Sequence, residues 1–225
     1  MKEIFNKENT RGLENKAHVC LLGYFFIGVN LVGEGEETLL EVAEKYFDDN
    51  GFEYSSQDLE EDKTRDILYV SALIHEQDTL HVMVCHLPSK LGGNVASEWK
   101  RKAAKQVIHQ QVDSILQVDP KAKIVVMGDM NSDPQNDLSH LENLMIDAKR
   151  VGQGTHKYQG IWSCIDQFYV SLSLIPHAQA SIFSPEWLLE EDPKYLDYQP
   201  KRTYIGYRYH GGYSDHLPIV LKIYR

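Results

Sequence analysis

The sequence predicts an α/β fold built on a mixed β-sheet, and three observations carry that expectation. Apolar, β-branched runs at 67–75, 79–87, 124–127, 164–170, 178–183 and 219–224 read as strands. The first two, Ile67–His75 and Thr79–Leu87, are joined only by Glu76-Gln77-Asp78, a short polar link that fits an antiparallel hairpin. Helical patterns alternate with the other runs, so hairpin-joined and helix-joined strands share one chain, the signature of a mixed rather than a purely parallel sheet.

Taken in order, the run Val19–Val32 is apolar but broken by glycines and an asparagine, and it reads as buried strand rather than a bilayer span. From Gly35 to Asp49, Leu39, Leu40, Val42, Ala43, Tyr46 and Phe47 recur at helical spacing, and Gly51 supplies the stop of an amphipathic surface helix. The segment Gln57–Lys63 is polar and acidic, hence a loop. After the hairpin, Pro88–Asn94 carries Pro, Ser and two glycines. A long helix is then expected over Ser97–Leu116, with Trp99, Ala103, Val107, Val112, Ile115 and Leu116 on its apolar stripe and Asp119-Pro120 as its end. The buried strand Ile124–Met127 leads into a Gly-Asp-Met-Asn turn, and a tyrosine-rich loop precedes the last strand.

Composition bounds the function. A chain of 225 residues can bury a full core, and one compact domain over 1–225 is expected. The formal net charge of -10 argues against a protein that coats nucleic acid by neutralising phosphates. Cys20, Cys85 and Cys164 are widely spaced and form no CxxC, so neither a disulfide framework nor a zinc knuckle is indicated. The N-terminus lacks the apolar segment of a signal peptide, which leads to the expectation of a cytoplasmic protein. No obligate protein partner is evident.

Four segments carry reactive groups at strand ends. Asp129 and Asn131 follow a buried strand, where Gly128 permits close backbone approach; a carboxylate with a carboxamide can hold a water or a hard divalent ion beside a phosphate. The same residues also fit an Asx turn that bonds only local amides. Asp215-His216 precedes Pro218 and the last strand, and an imidazole beside a carboxylate can serve as a general base, or simply sit on a solvated turn. Asp166 lies inside an apolar strand run, where an unpaired charge is costly, and His216 would suit it as a partner. The pair, with an attacking water in place of serine, follows the logic of a catalytic triad. His86 ends a strand before Pro88 and can donate to a leaving or phosphate oxygen, or bond a backbone carbonyl.

These segments, Cys85-His86-Leu87-Pro88-Ser89, Gly128-Asp129-Met130-Asn131, Ile165-Asp166-Gln167 and Ser214-Asp215-His216-Leu217-Pro218, give the chain its family likeness. In their types and order it resembles the endonuclease/exonuclease/phosphatase superfamily, the group of pancreatic deoxyribonuclease, abasic-site endonucleases, sphingomyelinases and inositol polyphosphate phosphatases. The resemblance covers roughly Thr64–Arg225. It implies a four-layer deoxyribonuclease I-like sandwich, two mixed sheets packed face to face with helices outside. It further implies that His86 is an acid or phosphate ligand and that Asp129 and Asn131 position the water and the scissile phosphate. Asp215 would help bind the metal, and His216, oriented by Asp166, would be base or transition-state stabiliser. Arg65, in Thr64-Arg65-Asp66-Ile67-Leu68, matches the place of an arginine that faces the substrate phosphate, although it also fits a plain cation at a strand start. That segment, with Thr155-His156-Lys157-Tyr158-Gln159-Gly160 and Gly211-Gly212-Tyr213-Ser214-Asp215-His216, is similar to a subgroup from gut-type bacteria.

The chain departs from the family at its start. Asparagine and glutamate motifs that complete the family's metal site are matched only by Phe5-Asn6-Lys7-Glu8-Asn9 and Gly12-Leu13-Glu14-Asn15, too close together for two strands and a helix. The expectation is therefore a fold incomplete at the N-terminal end, with Glu14 as the candidate metal ligand or else a solvated turn residue. The activity implied is that of a hydrolase dependent on Mg2+ or Mn2+, a phosphodiesterase or nuclease using metal-assisted attack of water. Two alternatives stand beside it: a non-catalytic phosphate-binding relative, and a phosphomonoesterase acting on a small phosphorylated metabolite or lipid head group. The partner in each case is a phosphate ester, nucleic acid or small molecule. The loop Arg202–His210 interleaves aromatic and basic residues and fits either a stacking platform or a hairpin packed on the sheet. Trp162 and Trp187 read as core or rim.

Overall fold

The computed structural model describes residues 17–20, 65–75, 78–90 and 94–224. The expected helix over Gly35–Asp49, the acidic loop Gln57–Lys63, and Asn6, Glu8 and Glu14 lie outside the described residues. The strands in chain order are β1 (Ala17–Cys20), β2 (Leu68–His75), β3 (Asp78–His86), β4 (Lys123–Asp129), β5 (Leu141–Asn143), β6 (His156–Tyr158) and β7 (Ile161–Ser163). They continue with β8 (Asp166–Ser171), β9 (Ala178–Ile182), β10 (Leu189–Asp192), β11 (Asp197–Pro200), β12 (Tyr204–Ile205), β13 (Arg208–Tyr209) and β14 (Ile219–Ile223). Two α-helices are described, α1 (Asn94–Val118) and α2 (Ile146–Arg150).

A five-stranded sheet, β2-β3-β4-β8-β5, forms the first half. The expected hairpin forms as β2 against β3, while α1 crosses over to make β3 and β4 parallel, and β8 returns antiparallel to β4. The sheet is mixed for that reason. A three-stranded sheet, β1-β14-β9, forms the second half, with β14 antiparallel to both neighbours.

The unbroken apolar run of β4 follows from burial on both faces. Ile124 and Val126 point to α1, joining Met83, Cys85, Ala104, Ile108, Val112 and Ile115 in one core. Val125 and Met127 point the other way, where Phe168 and Val170 meet Ile219 and Leu221 of β14. Strand alternation thus fills two cores from one sequence run, each fully buried aliphatic side chain contributing roughly 1.5–3 kcal/mol. On α1 the spacing of Ala104, Ile108, Val112 and Ile115 is the helical stripe that seats it on the sheet. Helix, sheet and facing sheet make an α/β sandwich. No helix among the described residues is long and apolar enough to cross a membrane.

Several boundaries differ from expectation. The run Cys164–Val170 enters the sheet only at Asp166, because the Ile165 carbonyl is taken by the Met130 N–H outside the ladder at 2.8 Å. Strand β4 extends to Asp129, so the acid closes the strand rather than following it. The tyrosine-rich loop contains the β12–β13 hairpin, yet Tyr204, Tyr207 and Tyr209 are exposed instead of packed on the sheet. Trp187 is a rim residue, edge-on to Tyr213 with ring centroids 5.2 Å apart.

One buried charge holds the periphery. Lys157 of β6, with its side chain 1% exposed, bonds Asp192 at 3.3 Å, Asp197 at 3.1 Å and the Tyr198 carbonyl at 2.9 Å. It ties the β10–β11 hairpin to β6. Lys157→Ala leaves Asp192 buried without its cation and is expected to cost about 3 kcal/mol of unfolding free energy in urea denaturation. An unchanged midpoint would show that the hairpin docks without this ion pair.

Candidate active site

Register brings the reactive residues together. His86 at the end of β3 pairs with Asp129 at the end of β4, and Asp129 pairs with Asp166 at the start of β8. Three strand termini therefore present His, Asp and Asp side by side at one sheet edge. The His86 Nε2 lies 3.5 Å from an Asp129 carboxylate oxygen.

The turn after β4 is built by short polar side chains. Asp129 Oδ1 accepts the Asn131 N–H at 2.8 Å, so the Asx-turn reading and the reactive reading hold for the same residue. Its other oxygen is the one facing His86. Asn131, at φ +48°, donates Nδ2–H to the Leu87 carbonyl at 2.8 Å, which fixes the turn against the end of β3. Behind it, the fully buried Gln167 donates to the Ser132 and Cys164 carbonyls and accepts from Asn143 and Tyr169. That network holds the turn from below.

His216 reaches the same edge from the other sheet. Its Nδ1–H donates to Asp166 Oδ2 at 2.8 Å, the pairing expected from the cost of an isolated charge. The Leu217 N–H donates to the Thr155 carbonyl at 2.7 Å, and Thr155 Oγ1 accepts the Asp166 N–H at 3.2 Å. The buried Thr155 is thus the joint that sets His216 beside Asp166. His156, next in the chain, forms an isolated antiparallel bridge with His216, their rings 4.8 Å apart. In the sequence neither Thr155 nor His156 is marked for the site, because no local signal separates them from ordinary strand residues.

Burial and charge split the ionisation of these groups. Burial pushes Asp129 up to about 6, reinforced by Asp166 and opposed by His216, the Asn131 N–H and Arg65. For His216, burial acts downward, but the Asp166 hydrogen bond and the charges of Asp166, Asp129 and Asp215 prevail and raise it to about 9. His86 is lowered to about 4 by burial, with the charges of Arg65 and His216 adding to it. His156 is likewise lowered to about 4, by burial and then by His216. At neutral pH the site therefore holds one imidazolium, two neutral imidazoles and an ionised Asp129.

Arg65 is exposed at the rim, and its charge acts on both His86 and Asp129. Asp215 does not stand with Asp129; it groups with His156 and His216. Among the described residues two sets could hold a metal ion, Asp129/Asp166/His216 and His156/Asp215/His216, with donor atoms within 4.8 Å of one another in each. Glu14 lies outside the described residues.

Residues 38–225 match the family model described as "Endonuclease/Exonuclease/phosphatase family". No curated protein matches the chain. Among solved structures, a truncated TDP2 from Caenorhabditis elegans is similar over 71% of this chain and 60% of its own, at 15% identity and a TM-score of 0.47. The human Nocturnin catalytic domain with bound sulfate is similar over 71% of this chain and 53% of its own, at 18% identity and 0.40. The mannosyl-6-phosphatase Bt3783 of Bacteroides thetaiotaomicron is similar over 65% of this chain and 51% of its own, at 11% identity and 0.37. The chain therefore spans at most 60% of the length of these three structures.

Proposed function

The chain belongs to the endonuclease/exonuclease/phosphatase family of phosphate-ester hydrolases, and from that premise we propose that it is a divalent-metal-dependent phosphodiesterase acting by in-line attack of water. One observation carries the reading: His86, Asp129 and Asp166 occupy neighbouring strand termini, and His216 closes on Asp166 at 2.8 Å. The wording around Thr155 and Tyr213 supports the bacterial subgroup.

The ionisation pattern favours one assignment of roles over the other. Asp129, ionised yet only slightly more acidic than neutrality at about 6, is suited to take a proton from the attacking water. His216, held as an imidazolium by Asp166, stabilises negative charge developing on the phosphoryl oxygens rather than acting as base. His86 is neutral and offers a hydrogen bond to a phosphate or leaving oxygen, and Arg65 meets the substrate phosphate from the rim. Asn131, anchored to Leu87, keeps the turn in place and orients the phosphate. As water adds to phosphorus, its proton passes to Asp129, the opposite P–O bond breaks, and the departing oxygen is protonated from solvent.

The Asp215 carboxylate is a hard oxygen donor that fits Mg2+ or Mn2+ and is the principal candidate ligand. The ion would supply charge neutralisation and polarisation of the phosphoryl group.

A panel of DNA, RNA, bis-p-nitrophenyl phosphate and p-nitrophenyl phosphate, assayed with Mg2+ or Mn2+, tests the reading. Diester hydrolysis is expected, with kcat/KM rising as Asp129 ionises through about pH 6 and falling as His216 loses its proton through about pH 9. The reading is abandoned if no ester is cleaved with either ion and Asp129→Ala leaves metal binding unchanged. The net charge of -10 favours a second reading, a phosphomonoesterase on a small substrate, which cleavage of the monoester alone would select.

A further inference from the structure

We propose that His156, Asp215 and His216 form a zinc-class transition-metal site whose occupation turns the hydrolytic site off. The antiparallel bridge between His156 and His216 places the two imidazoles as direct cross-strand neighbours, on one face, with ring centroids 4.8 Å apart. Asp166 takes Nδ1 of His216, which leaves Nε2 as the nitrogen available to an ion. A carboxylate behind a histidine is the arrangement that fixes the tautomer of a metal ligand and raises its basicity. The Asp215 carboxylate completes the set: one ring nitrogen of each histidine and a carboxylate oxygen lie within 4.8 Å of one another. Tetrahedral ligation at bond lengths of about 2.0–2.1 Å needs donors about 3.4 Å apart, so side-chain rotations that close at most about 1.4 Å suffice.

The donors themselves choose the ion. Two imidazoles and one carboxylate are a zinc set, whereas Mg2+ prefers oxygen and retains its waters. Asp215 and His216 are both used by the hydrolytic site as read above, and the inhibitory part of the proposal rests on that reading. Coordination takes the His216 ring and the Asp215 carboxylate away from the hydrolytic site together. The hydrolytic roles read above fall on His86, Asp129, Asn131, His216 and Arg65 and give none to His156.

The full chain, stripped with EDTA and free of Mg2+, is titrated with ZnCl2 by calorimetry and with Co2+ by visible absorption. One equivalent is expected to bind, with the intense d–d bands of low-coordinate cobalt, and millimolar Mg2+ should not displace it. His156→Phe and His156→Gln should weaken zinc by at least about tenfold while retaining Mg2+-dependent hydrolysis. Zinc should stop bis-p-nitrophenyl phosphate hydrolysis by the natural chain at the concentrations at which it binds, and spare both variants. Absent binding, or equal zinc affinity in both variants, overturns the site. Zinc binding through His156 without loss of hydrolysis overturns the switch. A chain that binds zinc through His156 but cleaves no ester with Mg2+ or Mn2+ keeps the metal site and rejects the phosphodiesterase reading and its switch.

Discussion

Replacing His216 by alanine is expected to lower kcat/KM for the preferred phosphate ester by about 10³-fold, mostly in kcat. The variant removes the cation held 2.8 Å from Asp166 and leaves two carboxylates, Asp129 and Asp166, on neighbouring strand positions facing an anionic substrate. Ground-state binding is expected to change less, because the proposed phosphate contact of Arg65 at the rim is left in place. A second readout separates this from damage to the fold. The His216 charge pulls the Asp129 carboxyl downward, so its loss raises that group further and moves the acid limb of the pH profile above about 6. A loss smaller than about tenfold, with the acid limb unmoved, would remove His216 from the chemistry.

Gly128→Ala is expected to cost about 4 kcal/mol or more and to leave little soluble folded chain. Gly128 sits in β4 at φ +138°, and a Cβ there would stand 1.8 Å from the Cys85 carbonyl oxygen and 2.9 Å from its carbon. The obstacle is backbone of the neighbouring strand, which cannot rotate away without breaking the β3–β4 ladder that aligns His86 with Asp129. Gly152→Ala is the matched control, since its φ of +80° carries strain but nothing lies within 4 Å of the added Cβ. Urea denaturation of the two variants should give a large loss for Gly128 and a small one for Gly152. Equal midpoints would show that β3 and β4 can separate locally.

Much of the candidate site was legible because its reactive residues flank apolar runs, His86 and Asp129 at the ends of strands and Asp166 and His216 at or before the starts of others. A run buried on both faces, such as Ile124–Met127, has to be central in a sheet, and the polar residue that follows it has to emerge at the sheet edge. The Asp166–His216 pair was readable from cost alone: a carboxylate at the start of a buried strand needs a partner, and one histidine stood in a comparable place. The short strands β5, β6, β7, β10, β11, β12 and β13 were not legible, since two to four residues give no period to read. Nor was Lys157, whose burial depends on a hairpin folding over it from more than thirty residues away.

The sequence by itself determined which groups reach the edge, because alternation and apolar runs are local properties of the chain. Tertiary structure alone decided what those groups are at neutral pH. Asp129 is raised and His216 held protonated by burial and by neighbours on other strands, terms that vary with distance and solvent exclusion rather than with adjacency in sequence. It also decided that His156 faces His216, sixty residues later, across a single bridge. Thr155 fixes that contact through hydrogen bonds to two different segments, a placement no local pattern encodes.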